Sequence, residues 1–265
     1  MLGTLMKYEF KANGRILLPL YAAWIVAAVM LGLAIRTDAV SEPNAMMIVL
    51  SAVLYAVVAA AAVIVTAIIL IQRFYKNLLG NEGYFMFTLP VSTGKHLTNK
   101  IVSGAVWICI GLLAAVMSAI AIAGTIEGFQ SVFDGFHFWV GEVKLLLSAE
   151  ATAPLLIIEI IIIAVLAAAE MIANVYAAIS IGHLWGNHRL LGAILAYMAL
   201  ATIEGILGTI IDEVVDAMPL DWFYNMEPAA QSHLVLILAM AACAAMLAIY
   251  WFISWKLLDK RLNLE

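Results

Sequence analysis

Three carboxylates and one amide lie inside long apolar stretches of this chain, and their types and spacing could do chemistry. Glu159 and Glu170 belong to one stretch, with Asn174 one helical turn further on, and Glu204 belongs to the next. Eleven residues of α-helix turn through about 1100°, only 20° or so past three full turns, so Glu159 and Glu170 would share one helix face. Such groups either line a polar pathway or join helices by hydrogen bonds.

Other patterns that would indicate catalysis or cofactor binding are incomplete in this sequence. The fragment Ser92-Thr93-Gly94-Lys95 looks like the end of a phosphate-binding loop, but that motif requires glycine at Leu89 and Ser or Thr at His96. The five histidines are scattered, with no spacing that suits metal ligands. We therefore expect that this chain is not an enzyme and itself binds no nucleotide, metal or other cofactor.

The composition predicts an all-α integral membrane protein. Hydrophobic residues make up 66% of the 265 residues and charged residues only 12%, against about 25% charged in a soluble domain. Six apolar runs are long enough to span a bilayer and form one transmembrane domain over 1–265: 16–35, 45–71, 101–126, 154–181, 190–211 and 234–255. An ionised side chain at the bilayer centre costs roughly 3 kcal/mol, so Glu170 should face the protein interior or a wet cavity. Glu159 and Glu204 could instead lie near enough to the outer membrane surface to be hydrated.

The segments outside the spans have distinct compositions. Residues 1–15 have apolar positions on one helical face and basic residues off it, which predicts an amphipathic helix in the membrane interface. The segments 127–153 and 212–233 mix acids with aromatic residues. Such rings are typical of anchors at the headgroup level, and a short lid over an exit is the alternative.

The distribution of charge predicts the orientation. The N-terminus, 72–100, the turn 182–189 and the tail after Trp255 together carry 11 of the 13 Lys and Arg residues. The opposite side keeps only Arg36 and Lys144 and collects most of the acids. By the positive-inside rule both termini are cytoplasmic, which agrees with an even number of spans.

Small residues recur at four-residue intervals in two of the spans. The third span has Gly111, Ala115 and Ala119, and the fifth has Ala201, Gly205 and Thr209. This spacing lets helix backbones approach closely. It predicts a compact bundle and gives some support to a dimer.

The segment Gln72–Lys100 is a polar interruption with a concentration of basic residues. Its centre, 84–89, is too apolar for a loop in water, which indicates that a protein partner covers it. The alternative is that its apolar side chains dip back into the membrane interface. Pro90 would end a short helix here, and Ser92 is placed to cap the next one. One face of that short helix would present Glu82, Phe85, Met86 and Leu89.

The fragment 82–92, EGYFMFTLPVS, resembles the cytoplasmic signature of the permease subunits of ABC-2 type ABC transporters. That signature has an acidic residue and Gly, then an apolar run that ends in Pro, an apolar residue and Ser. The layout of the whole chain is also similar to that of the family. The match departs at Leu89, where the family often has Thr, and at Met86, where it often has an acid.

The resemblance implies that 82–89 is a coupling helix seated in a groove of a separate cytoplasmic ATPase subunit, which would bind the ATP and Mg. It also implies a second permease copy, in a homodimer or heterodimer, within a bacterial cell membrane. Membrane lipid is the remaining expected partner, and no nucleic acid is expected. The coupling residues it implies are Glu82, Gly83, Tyr84, Phe85, Met86, Phe87, Leu89 and Pro90.

The function expected from these features is that of a permease subunit of an ATP-driven exporter. Its cargo would be an amphiphilic drug, a peptide or a lipid-like molecule. Two alternatives stay open at this point. One is a sensor or scaffold subunit that moves no cargo, and the other is an ion-coupled carrier that uses Glu170.

Overall fold

The computed structural model describes residues 2–40, 45–80, 83, 91–128, 130, 133–135, 137, 153–218 and 221–260, and these ranges contain no β-strand. The α-helices are α1 (Leu2–Val40), α2 (Ala45–Phe74), α3 (Thr93–Glu127), α4 (Ala153–Gly182), α5 (Arg189–Ala217), the short α6 (Asp221–Tyr224) and α7 (Pro228–Lys260). The α2 helix continues as a π-helix, Tyr75–Leu79, and α4 continues as a 3-10 helix, His183–His188.

Six of the described helices are long and apolar enough to cross a membrane, so the predicted all-α character and the prediction of six membrane-length helices are confirmed. The helices extend beyond the predicted apolar runs. The α3 helix already begins at Thr93. At its start the carbonyl of Ser92 accepts hydrogen bonds from the backbone amides of Lys95 at 2.9 Å and His96 at 3.3 Å. The α7 helix begins at Pro228 instead of 234, because proline is well suited to the first turn of a helix.

The N-terminal helix is continuous. The sequence predicts an interfacial helix over 1–15 and a separate span from 16, but α1 runs unbroken from Leu2 to Val40, with Pro19 inside it. Asn13 and Gly14, next to the expected junction, are both buried. An interfacial position for the first fifteen residues therefore rests on the sequence pattern alone.

The chain forms two compact units. The smaller unit comprises Lys7–Ile69 and Val106–Ala151, and the larger comprises Met1–Met6, Leu70–Ala105 and Thr152–Glu265. The core of the smaller unit contains Leu17, Tyr21, Trp24, Ala62, Trp107 and Ala114. Tyr21 joins its helices through a 2.9 Å hydrogen bond with the Thr66 hydroxyl, and it also donates to the carbonyl of Trp107 at 3.4 Å.

Glycines set the helix spacing in the smaller unit. A Cβ added to Gly111, in the small-residue pattern of the third span, would lie 3.2 Å from the Tyr21 hydroxyl oxygen. A Cβ added to Gly32 would overlap the Thr125 hydroxyl and lie 2.9 Å from the carbonyl oxygen of Ile122. Helices α1 and α3 therefore approach closely at Gly32.

The larger unit is organised around α4, which packs against α5 and α7. Small side chains on α4 make the approach possible: Ala173 and Ala177, one turn apart, have no exposed surface. A Cβ added to Gly182 would overlap the backbone of Ala193, so the end of α4 and the start of α5 meet closely. By contrast, Gly205 on α5 has no described atom within 4 Å of an added Cβ.

Candidate functional site

The carboxylate of Glu204 joins three helices of the larger unit. Its Oε2 atom accepts a hydrogen bond from Asn174 Nδ2 on α4 at 3.2 Å. The same atom accepts one from the Tyr250 hydroxyl on α7 at 3.1 Å. Asn174 is 6% exposed and Tyr250 is 2% exposed. Glu204 thus ties α4, α5 and α7 together by hydrogen bonds.

Glu170 lies one helical turn before Asn174, on the same side of α4. Its Oε1 atom is buried, and so is Asn174 Oδ1, and neither has a hydrogen-bond partner in the part of the chain that the structure describes. Buried polar atoms usually have partners, since leaving one unpaired costs free energy. Glu170 Oε1 and Asn174 Oδ1 can therefore each accept a further hydrogen bond.

Glu159 is buried against α7. It is 6% exposed, and its Oε2 atom lies 2.8 Å from Nδ1 of His233. The two form an ion pair when the imidazole is protonated. Two of the three predicted positions on α4 thus contact different helices: Glu159 contacts α7, while Asn174 contacts α5.

The first flank of the Gln72–Lys100 segment is anchored to α4 by aromatic contacts. Phe74, which has no exposed surface, stacks on Tyr176 with ring centroids 3.9 Å apart and planes inclined by 7°. The Tyr176 hydroxyl also donates to the carbonyl of Leu70 at 3.5 Å. One residue later, Tyr75 makes an edge contact with the His183 ring at 6.1 Å.

The second flank is anchored to the end of α7. Trp251 Nε1 donates to the Thr98 hydroxyl at 3.1 Å, and the Thr93 hydroxyl donates to Asp259 at 3.2 Å. Trp251 also stacks on Trp255 with centroids 5.9 Å apart. The two flanks therefore meet the ends of α4 and α7 at one end of the larger unit. We call this the basic end, after Arg73, Lys76, Lys95, Lys100, Arg189 and Lys256.

Most of the predicted coupling residues lie outside the described residues. This applies to Glu82, Tyr84, Phe85, Met86, Phe87, Leu89 and Pro90. Gly83 is described: it is buried, and its amide donates to the carbonyl of Gly80 at 2.8 Å. Among the basic residues beside the segment, Lys95 is exposed but Lys100 is only 3% exposed.

Sequence reasoning missed the partners of the predicted carboxylates. Tyr250 and His233 both lie on α7, far along the chain from Glu204 and Glu159. Helical periodicity places a residue on a face but does not say which helix packs against that face. A polar tip within an otherwise apolar run was the available signal for Tyr250. His233 was treated only as one of five scattered histidines.

The described side chains do not assemble a metal centre, since no group of three or more His, Cys, Asp or Glu residues among them could hold an ion. Several described polar side chains form hydrogen bonds between helices, such as Asn174 and Tyr250 with Glu204. Together with six membrane-length apolar helices, this defines a multi-pass membrane protein. No family model, no curated protein and no solved structure matches the chain.

Proposed function

We propose that this protein is the membrane-spanning permease subunit of an ATP-driven transporter, coupled through 82–89 to a separate ATPase subunit. The observation that carries the proposal is the anchoring of both flanks of that segment. Phe74 and Tyr75 attach one flank to α4, and Thr93 and Thr98 attach the other to α7. The resemblance of 82–92 to the signature of ABC-2 type permeases supports the same role.

The anchoring suits force transmission between a partner and the spans. A segment that hangs from two loose loops could move without moving any helix. Here the aromatic stack of Phe74 on Tyr176 and the hydrogen bond of Trp251 to Thr98 make each flank part of a packed helix pair. A partner that displaces 82–89 would therefore displace the ends of α4 and α7. That motion would reach Glu204, since its hydrogen bonds with Asn174 and Tyr250 join these same helices.

The proposal includes the orientation of the chain in the membrane. Contacts at the basic end bring three of the four predicted cytoplasmic segments together: the flanks of Gln72–Lys100, the turn at His183 and the end of α7. With their lysines and arginines, these segments favour the cytoplasmic side of a bacterial cell membrane. Both termini are then cytoplasmic, and residues 1–15 lie in the interface before the first span.

The expected partners follow from the same proposal. ATP and Mg would bind to the ATPase subunit, and this chain would contribute no catalytic residue. A second permease copy could use the exposed face of α5 that carries Ala201, Gly205 and Thr209, where Gly205 has open space around it. An amphiphilic drug, peptide or lipid-like molecule remains the proposed cargo, moved outward.

Co-purification tests the coupling. Tagged protein from its native membrane should co-purify with an ABC-type ATPase, and Phe85→Asp with Phe87→Asp should abolish this. The matched control is Phe133→Asp, an exposed aromatic in the 127–153 segment. Undiminished complex formation by the Phe85 and Phe87 variant would refute the coupling role.

A second experiment separates docking from transmission. Phe74→Leu removes the stack on Tyr176 without touching 82–89. We expect the ATPase to remain bound while cargo-stimulated ATP hydrolysis in liposomes falls. Tyr197→Leu, at an exposed position on α5, should leave both unchanged. If Phe74→Leu preserves full stimulation, the anchored flank does not transmit motion.

An ion-coupled carrier is the second candidate, and the unpaired buried Oε1 of Glu170 favours it. This function predicts uptake that is driven by a proton gradient without ATP and that Glu170→Gln abolishes. The purified chain in liposomes, without any ATPase, provides the measurement. Gradient-driven uptake there would replace the first proposal.

A further inference from the structure

A cavity of about 490 Å³ opens at the basic end, between the end of α2 and the turn that joins α4 to α5. Its walls are mainly apolar and include Ile71, Ile179 and Leu190. Two cationic side chains, Lys76 and Arg189, also line it, together with the imidazole of His183. No carboxylate belongs to the lining among the described residues. The cavity therefore combines apolar surface with positive charge.

One polar atom of the lining lacks a partner. His183 Nδ1 is buried and makes no hydrogen bond within the part of the chain that the structure describes. The edge contact with Tyr75 holds the ring in place. A buried ring nitrogen without a partner costs free energy.

We propose that this cavity binds an anionic phospholipid of the bilayer, with its phosphate held by Arg189 and Lys76 and an acyl chain along the apolar wall. Three features argue for this occupant. The cavity lies at the end of membrane-length helices, where headgroups are found. Arginine forms paired hydrogen bonds with phosphate oxygens, and basic pockets between spans suit anionic headgroups. The apolar wall would be left exposed by a small soluble anion but is covered by an acyl chain.

A lipid bound here would lie beside the first flank of Gln72–Lys100, because Tyr75 and Lys76 line the cavity and also belong to the π-helix after α2. It does not depend on the proposed transport function. Lipid binding can be measured on the purified chain alone, so a failure of ATPase coupling would leave this inference standing, and the reverse also holds.

Native mass spectrometry of the detergent-purified protein tests the proposal. The protein is titrated with phosphatidylglycerol and, separately, with phosphatidylcholine of the same acyl chains. We expect the first phosphatidylglycerol to bind at least about tenfold more tightly, since two basic side chains contribute roughly fivefold each. Arg189→Gln and Lys76→Gln should each weaken it by about fivefold. His183→Phe keeps a ring beside Tyr75. It should weaken the binding of phosphatidylglycerol and leave the binding of phosphatidylcholine unchanged.

Lys256→Gln is the matched control, because Lys256 is exposed at the same end but does not line the cavity. It removes the same charge and should change binding less than twofold. Equal affinity for the two lipids, or an equal effect of Lys256→Gln and Arg189→Gln, would show general attraction without a site. Displacement of the lipid by millimolar inorganic phosphate would show a free-anion site and would also overturn the proposal.

Discussion

Removing the hydroxyl of Tyr250 tests whether the Glu204 carboxylate holds three helices together. Tyr250→Phe keeps the ring, which is 2% exposed, and deletes only the 3.1 Å hydrogen bond to Glu204. Hydrogen bonds between membrane helices contribute about 0.6 kcal/mol on average and up to about 1.7 kcal/mol. Because this bond ends on a carboxylate oxygen in a partly buried position, we expect the upper part of that range, about 1.5 kcal/mol.

The assay is equilibrium unfolding of the purified protein in mixed micelles, as a double-mutant cycle of Tyr250→Phe with Glu204→Met. The cycle removes the donor and the acceptor separately and together, so packing changes common to both cancel. Tyr197→Phe is the control, since Tyr197 lies exposed on α5; it should change the unfolding free energy by less than about 0.3 kcal/mol. A coupling energy between Tyr250 and Glu204 that is also below about 0.3 kcal/mol would refute the hydrogen-bond reasoning.

Two further substitutions test close contacts, measured by the same unfolding assay. Gly32→Ala should lower the unfolding free energy by about 1–3 kcal/mol, because the added methyl group overlaps Thr125 and presses on the backbone of Ile122. Glu159→Leu should lower it by about 1.5–3 kcal/mol, since His233 Nδ1 then loses its carboxylate partner. Glu159→Gln should cost much less, because the amide oxygen still accepts a hydrogen bond.

Each of these has a control at an exposed position. Gly205→Ala meets nothing within 4 Å and should leave stability unchanged or slightly raised. Glu227→Leu, at an exposed glutamate in the loop before α7, should have little effect. A loss for Gly205→Ala as large as for Gly32→Ala would contradict the close approach of α1 and α3. Equal losses for Glu159→Gln and Glu159→Leu would contradict the hydrogen bond to His233.

The sequence was sufficient to predict the helices but not to predict which helices pack against one another. Apolar runs of membrane length predict six spans because a bilayer leaves few other backbone structures. The start of α3 at Thr93 agrees with Ser92 as the predicted cap of the helix that runs into the third span, although the apolar run itself begins only at 101. Local composition does not reveal the contacts of this polar stretch with α7, such as Trp251 with Thr98.

The polar site shows the same limit. Periodicity could place Glu159, Glu170 and Asn174 near one face of α4. It could not show that Glu159 would meet His233, or that Asn174 would meet Glu204, because such pairings depend on how the helices pack. Burial of Glu159 was equally out of reach, since hydration and pairing satisfy a carboxylate at that depth equally well.

The stacked Trp251–Trp255 pair makes the basic end visible to spectroscopy without any label. Two indole rings with centroids 5.9 Å apart couple their electronic transitions, and the circular dichroism that results depends on the angle between the transition dipoles of the two rings. Trp251 also has its Nε1 bonded to Thr98, so its emission depends on where the start of α3 lies. Any ligand, lipid or partner that shifts this flank would change an optical signal that the chain already contains.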